Sequence, residues 1–169
     1  TTGFDTAQLD EIRRLSQHIP CVMSANMSIG INILLSLSAQ IAKLLSDTFD
    51  IELVEAHHNQ KKDAPSGTAL MLAEAIAKAT NRTLSTDAVY GRQGATGARQ
   101  KQEIGIHAVR GGDIVGDHTV LFAGQGERIE ITHRAHSRDN FARGALLAAR
   151  YIIRQPAGLY TMQDVLKLT

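Results

Sequence analysis

The sequence offers little that would tie it together covalently or draw it to a charged polymer. Its single cysteine, Cys21, excludes an intramolecular disulfide and suits a reducing compartment. With 18 basic and 17 acidic side chains the formal net charge is +1, which argues against nucleic acid or a membrane surface as the main partner. No uninterrupted apolar run reaches the length of a bilayer span, because Ser, Asn and Gln punctuate the longest candidate, and no charged-then-apolar leader opens the chain. The Gly-rich stretch at 91–100 is no phosphate loop, since neither a following Gly-Lys-Ser/Thr nor a strand-to-helix junction accompanies it. The expectation is a soluble, cytoplasmic protein of about one domain, whose 169 residues can bury a sizeable core.

What is there is concentrated between His57 and Thr68. These twelve positions hold two imidazoles, two ammonium groups, a carboxylate and a Ser-Gly-Thr trio. Upstream, 49–56 alternates loosely and reads as a strand, so His57 and His58 fall at a strand end, where α/β folds place ligand chemistry. If the strand continued they would point to opposite faces and serve different purposes. Downstream, Pro65 marks a boundary, after which Ser66, Gly67 and Thr68 open a run with apolar residues at helical spacing to about Ala79. Ser66 or Thr68 can cap that helix, Gly67 lets a ligand approach the backbone, and the unpaired first amides form a site for a carboxylate or phosphate.

Histidine gives or takes a proton near neutral pH, and Lys61 adds a compact cation that binds a carboxylate or donates a proton. The string therefore suits an anionic substrate that must be protonated. A metal-assisted hydrolase using His57, His58 and Asp63 is the weaker enzymatic alternative, because zinc sites need three or four ligands; no metal is expected.

The flanking chain reads as α/β. A helix beginning at Asp5, with Leu9, Ile12 and Leu15 on one face, precedes a short strand at 20–25. Residues 27–46 are apolar around most of their circumference and read as a buried helix, with Asn26 as its N-cap. Positions 91–100 lack a pattern, so a mobile loop with solvated arginines is expected there. Strands follow at about 103–109, 117–123 and 127–134, the last two joined by a tight hairpin at Gly124 to Gly126. His107, His118 and His133 read as sheet-face residues with satisfied hydrogen bonds, since no ligand spacing joins them. A helix over 137–154 should pack an apolar stripe of Phe141, Ala145, Ala149 and Ile152 on the sheet, and Arg138 near its start is a minor candidate for positioning anions. The other face of the sheet should expose alternating apolar residues and pack against a second subunit.

The stretch Glu55 to Ala69, Glu-Ala-His-His-Asn-Gln-Lys-Lys-Asp-Ala-Pro-Ser-Gly-Thr-Ala, resembles the signature of the dihydrodipicolinate reductase family. The likeness continues through residues 1–4, 24–28, 110–119 and 127–135 and so covers essentially the whole chain. It implies that NADH or NADPH reduces a cyclic, unsaturated imine dicarboxylate to tetrahydrodipicolinate in diaminopimelate and lysine biosynthesis. On matching positions it implies His57 as proton donor, Lys61 as second donor and electrostatic stabiliser, and His58, Ser66, Gly67 and Thr68 as substrate-binding residues. Thr1, Thr2, Ser24, Ala25, Asn26 and Met27 would belong to the cofactor site. Met27 stands where relatives often carry an aromatic.

The family opens with a dinucleotide-binding domain carrying a Gly-rich fingerprint that nothing here matches. The expected organisation is thus a remnant of a Rossmann-type dinucleotide-binding domain at 1–26 and a substrate-binding and oligomerisation domain at 27–155. The latter is a mixed four-stranded sheet with helices on one face. A tail at 156–169 would pack back on the dinucleotide-binding domain. The resemblance further implies a homotetramer built through the sheet. The alternative for the chain as it stands is a non-catalytic assembly and dicarboxylate-binding core.

Overall fold

The structure, a computed structural model, describes residues 2–168; Thr1, assigned above to the cofactor, lies outside the described residues. In chain order the elements are α1 (Thr6–Ser16), β1 (Pro20–Val22), α2 (Ile29–Leu45), β2 (Asp50–His57), α3 (Gly67–Ala79), α4 (Leu84–Asp87), β3 (Ala88–Tyr90), β4 (Ile104–Arg110), β5 (Gly116–Ala123), β6 (Arg128–Ala135), α5 (Asp139–Ile152), β7 (Gly158–Tyr160) and α6 (Met162–Leu166). They form two compact units, one of residues 2–33 with 138–168, the other Leu34–Ser137. No helix among the described residues is long and apolar enough to cross a membrane.

In the first unit, Asp5 starts α1 through a capping box with Gln8, each side chain accepting from the other residue's backbone N–H. Strand β1 pairs in parallel with β7, Cys21 lying opposite Leu159. The helix expected on the sheet forms as α5 but packs instead on β1 and α6. Its Ala148 is buried with Met162 and Val165, and Val22, Met27 and Tyr151 close around them. An amphipathic stripe announces that a face is buried, not which partner buries it. Gly144 is required there, since a Cβ would run into the Met27 backbone carbonyl.

Helix α2 begins at Ile29, two residues later than its apolar pattern suggests, and its cap is not Asn26. The Ser28 hydroxyl accepts from the Ile31 amide at 3.3 Å, while Asn26 shapes the turn before it, its Oδ1 accepting from the Ser28 amide at 2.8 Å.

The second unit is built on a five-stranded sheet in the order β3-β4-β2-β5-β6. The expected four strands are all present, and Ala88–Tyr90, too short to announce itself by alternation, adds an edge strand parallel to β4. Strands β2 and β4 are parallel, β5 and β6 antiparallel to their neighbours. Alternation in β2 sends Ile51, Leu53, Glu55 and His57 to the buried face. There the apolar residues join Ile104, Ile106, Val120 and Phe122 beneath Ala69, Leu72, Ala73 and Ile76 of α3. Each large apolar side chain so buried contributes roughly 1.5–3 kcal/mol, which makes this the rigid floor of the site.

The opposite face is not the apolar surface expected. Val54 and Val109 are exposed, but the Thr119 and Thr132 hydroxyls pair at 3.0 Å and Glu52 gathers Arg92, Arg99 and His107. Gly105 lies beside Glu52 because a Cβ there would run into the carboxylate. Arg92 also bonds Glu103 at 2.9 Å, and Arg99 reaches Asp50 at 3.0 Å, so the arginines of 91–100 are engaged rather than solvated and fasten that loop to the sheet. Pairing of charges distant in sequence, which no local pattern encodes, is the reason for the difference.

Candidate functional site

Strand β2 ends at His57, and the link between β4 and β5 secures that end. Gly111 N–H donates to the His57 carbonyl at 2.9 Å, and Asn59 N–H donates to the carbonyl of Gly112, a residue in the left-handed region at φ 51°. The chain then turns, Lys61 N–H donating to the His58 carbonyl at 3.1 Å, passes a cis Ala64–Pro65 bond and enters α3. Ser66 is the N-cap, its hydroxyl accepting from the Ala69 amide at 3.1 Å. Of the two capping candidates, Ser66 thus takes the role.

At the centre lies Glu55, whose side chain is 0% exposed. Its Oε2 accepts from Arg110 at 2.8 Å and lies 2.6 Å from His57 Nδ1; its Oε1 accepts from Arg110 at 2.7 Å and from the Ser66 amide at 2.9 Å. Arg110 also donates to the Asp63 carbonyl at 2.7 Å. Burial alone would push the Glu55 carboxyl up, but Arg110, His57 and the Ser66 amide outweigh it and hold the group below the usual carboxylate range. Glu55 in turn raises Arg110 above its ordinary value by accepting its hydrogen bonds.

His118 on β5 completes the group. In register it stands opposite Glu55; its Nε2 is 3.1 Å from the Ser66 hydroxyl, and its ring meets that of His57 edge to face at 5.2 Å. Burial, then the neighbouring His57, lower its pKa to about 4, so it is neutral at physiological pH. Among the described residues its Nδ1 is buried without a partner, as is that of His133 beside it on β6. The expectation that these two histidines are fully satisfied therefore fails, although His107 is satisfied by Glu52 at 2.7 Å. Burial lowers His133 as well.

The strand-end string is thus partly gathered. His57 is buried at 8% exposure, and Gly116 leaves room beside its Nε2, where a Cβ would come within 3.0 Å. Lys61 is paired with Asp63 at 2.8 Å, and hydrogen bonding to that lysine lowers the Asp63 carboxyl. Gly67, at the helix start, is exposed with nothing within 4 Å of a Cβ, while His58 and Thr68 are half-buried. Glu55, Arg110 and His118 were missed as functional residues. Glu55 alone left a sequence signal, since two residues before His57 on a strand means the same face.

The residues assigned to a cofactor belong to the other unit. Thr2 and Ala25 are exposed, Ser24 and Met27 half-buried, and Asn26 is buried with its carbonyl accepting from Asn32 at 2.9 Å. Among the described residues no three His, Cys, Asp or Glu side chains are grouped to hold a metal ion.

Comparison with known proteins gives one consistent result. Residues 30–166 match the sequence model of the family described as "Dihydrodipicolinate reductase, C-terminus". The 4-hydroxy-tetrahydrodipicolinate reductases of Syntrophobacter fumaroxidans and Syntrophus aciditrophicus are 57% and 54% identical to this chain over 166 residues, 98% of its length. Among solved structures, dipicolinate-bound dihydrodipicolinate reductase from Paenisporosarcina sp. TG-14 superposes with a TM-score of 0.77 at 27% identity, covering 97% of this chain. The chain spans 62% of the length of each of these relatives. A buried carboxylate-histidine pair at a strand end beside a serine-capped helix thus sits in a sequence matched along nearly all its length, and the chain belongs to the dihydrodipicolinate reductase family, of which it carries the C-terminal part.

Proposed function

We propose that this chain supplies the substrate-binding and proton-donating part of an NAD(P)H-dependent reductase that converts 4-hydroxy-tetrahydrodipicolinate to tetrahydrodipicolinate, a step of diaminopimelate and lysine biosynthesis in the cytoplasm. The observation that carries the reading is the His57–Glu55 pair, 2.6 Å apart and joined through the Ser66 amide to the start of α3.

The bound nicotinamide cofactor, NADH or NADPH, supplies the hydride. Loss of the 4-hydroxyl as water gives the unsaturated ring; hydride addition to that ring leaves negative charge that an acid must quench, and His57 gives that proton from Nε2. Lys61 stabilises the developing charge and serves as second donor. Ser66, Gly67 and Thr68 hold one substrate carboxylate against the unpaired amides of α3, and His58 binds the substrate. Thr1, Thr2, Ser24, Ala25, Asn26 and Met27 contact the cofactor.

The domain boundaries at 26/27 and 155/156 are those proposed for the full-length enzyme, which assembles as a homotetramer through the sheet. The mixed open face, with Val54 and Val109 exposed among polar neighbours, is consistent with packing against a second copy.

The test is kinetic. In the full-length enzyme His57→Gln or Lys61→Ala should lower turnover by about a hundredfold or more, the usual scale for losing a general acid. Thr68→Val should raise KM more than it lowers kcat, because a carboxylate held equally in ground and transition states is uniform binding. Near-normal turnover in both of the first two variants would refute the assignment.

A further inference from the structure

We propose that Glu55 is the positioning residue of this site: its carboxylate, paired with Arg110, fixes a hydrogen on His57 Nδ1 and so leaves Nε2 as the atom that exchanges a proton with the substrate. The proposal deepens the function given above and rests on it for its catalytic consequence, while its geometry stands on other observations.

Two carboxylate oxygens face four nitrogens. Oε2 meets His57 Nδ1 and Arg110 Nη1, and Oε1 meets Arg110 Nη2 and the Ser66 amide. Guanidinium and backbone nitrogens carry hydrogens whatever the pH, and an ionised carboxylate only accepts. His57 therefore bonds Oε2 at 2.6 Å only with a hydrogen on Nδ1, and the hydrogen bond at one ring nitrogen decides what the other does. Gly116 presents only hydrogen beside Nε2, so that position places no side chain over it. His118 packs edge-on to the ring, with the centroids 5.2 Å apart.

The same carboxylate anchors a second part of the site. Through Oε1 it holds the amide of Ser66, which caps α3 and bonds His118. One buried group thus fixes both the ring that gives the proton and the helix end that takes the substrate carboxylate. Glutamine at position 55 cannot do so. It has one oxygen for four donors, and wherever its amide nitrogen faces His57 the ring must accept at Nδ1 and carry its hydrogen on Nε2.

The experiment reads the tautomer directly, by long-range proton–nitrogen correlation spectra of the chain at a pH where His57 is neutral. His57→Gln identifies the signal by its loss. The wild-type chain should show a protonated Nδ1 and a bare Nε2, and Glu55→Gln should move the hydrogen to Nε2 in most molecules. A wild-type ring protonated at Nε2 would overturn the proposal, as would a Glu55→Gln chain that keeps the wild-type tautomer. Should Glu55→Gln fail to fold, the wild-type spectrum decides alone. Because no turnover is measured, a failure here is distinct from a failure of His57 as proton donor, which the kinetics of His57→Gln in the full-length enzyme decides.

Discussion

Arg110 at the end of β4 grips Glu55 of β2 with both terminal nitrogens, Nη1 to one carboxylate oxygen at 2.8 Å and Nη2 to the other at 2.7 Å, on the buried face of the sheet. The carboxylate is fully buried and the guanidinium only partly so, so removing either partner has unequal results. Arg110→Gln would leave a buried charge opposed only by His57 and the Ser66 amide. It should destabilise the chain by about 3–5 kcal/mol, the scale for an unpaired buried charge. Adding Glu55→Gln should recover part of that loss, since the charge then disappears with its partner. Urea unfolding of the single and double variants measures both, and strictly additive losses would contradict the coupling.

Gly116→Ala tests the space beside the proton-exchanging nitrogen. The new Cβ would stand 3.0 Å from His57 Nε2, closer than such contacts normally settle, so the ring or the strand must give. Binding of pyridine-2,6-dicarboxylate to the chain, followed by calorimetry, should weaken about tenfold, near 1.4 kcal/mol. Unchanged affinity would place the ligand away from Nε2.

Local chemistry made much of this architecture readable. Pro65 before Ser66 marked the start of α3, and alternation from Asp50 onward placed Glu55 and His57 on one face. Three features were not legible, each because it depends on which distant segments meet. Arg110 reaches Glu55 across 55 positions, and the Ser66 hydroxyl meets His118 across 52. The arginines at 92 and 99 find Glu52 across the open face, where a pattern-free loop suggested mobility. Helix α5 shows the same limit in packing: of the face expected to be buried, Phe141, Ala145 and Ala149 are exposed, the buried residues are Gly144 and Ala148, and the partners are β1 and α6.

Glu52 gives a prediction for acid. Burial alone would raise it, but hydrogen bonds from Arg92, Arg99 and His107 lower its pKa from 4.5 to about 2. A depressed carboxyl stabilises the fold above its unfolded value and loses that contribution as pH falls through the folded one. Glu52→Gln should therefore be less stable than wild type at pH 7 by about 2 kcal/mol, after discounting for the partial exposure of the arginines. The difference should shrink between about pH 4.5 and 2. Denaturant unfolding at stepped pH measures it, and a gap that stays constant down to pH 2 would argue against the network.

His118 makes the complementary prediction, in a higher window. Its folded pKa of about 4 lies below the ordinary 6.5, first because burial disfavours the charged ring and then because His57 stands 5.2 Å away. Glu55 pulls the other way, while His133 and Lys61 add to the lowering. The unfolded chain takes up this proton before the folded one does, so the contribution is fully present above about pH 6.5 and is lost as pH falls towards about 4. A shift of that size corresponds to about 3 kcal/mol at most. His118→Gln removes the titrating group, so the stability of wild type relative to the variant should fall over that interval and be flat above neutrality. The two windows overlap only between about pH 4.5 and 4, so unfolding at stepped pH, with each variant compared with wild type, distinguishes them in one series. A difference that does not change between pH 7 and 4 would mean that the His118 ring finds solvent or a partner for its charge. The buried Nδ1 would then have to become accessible to solvent or to a partner.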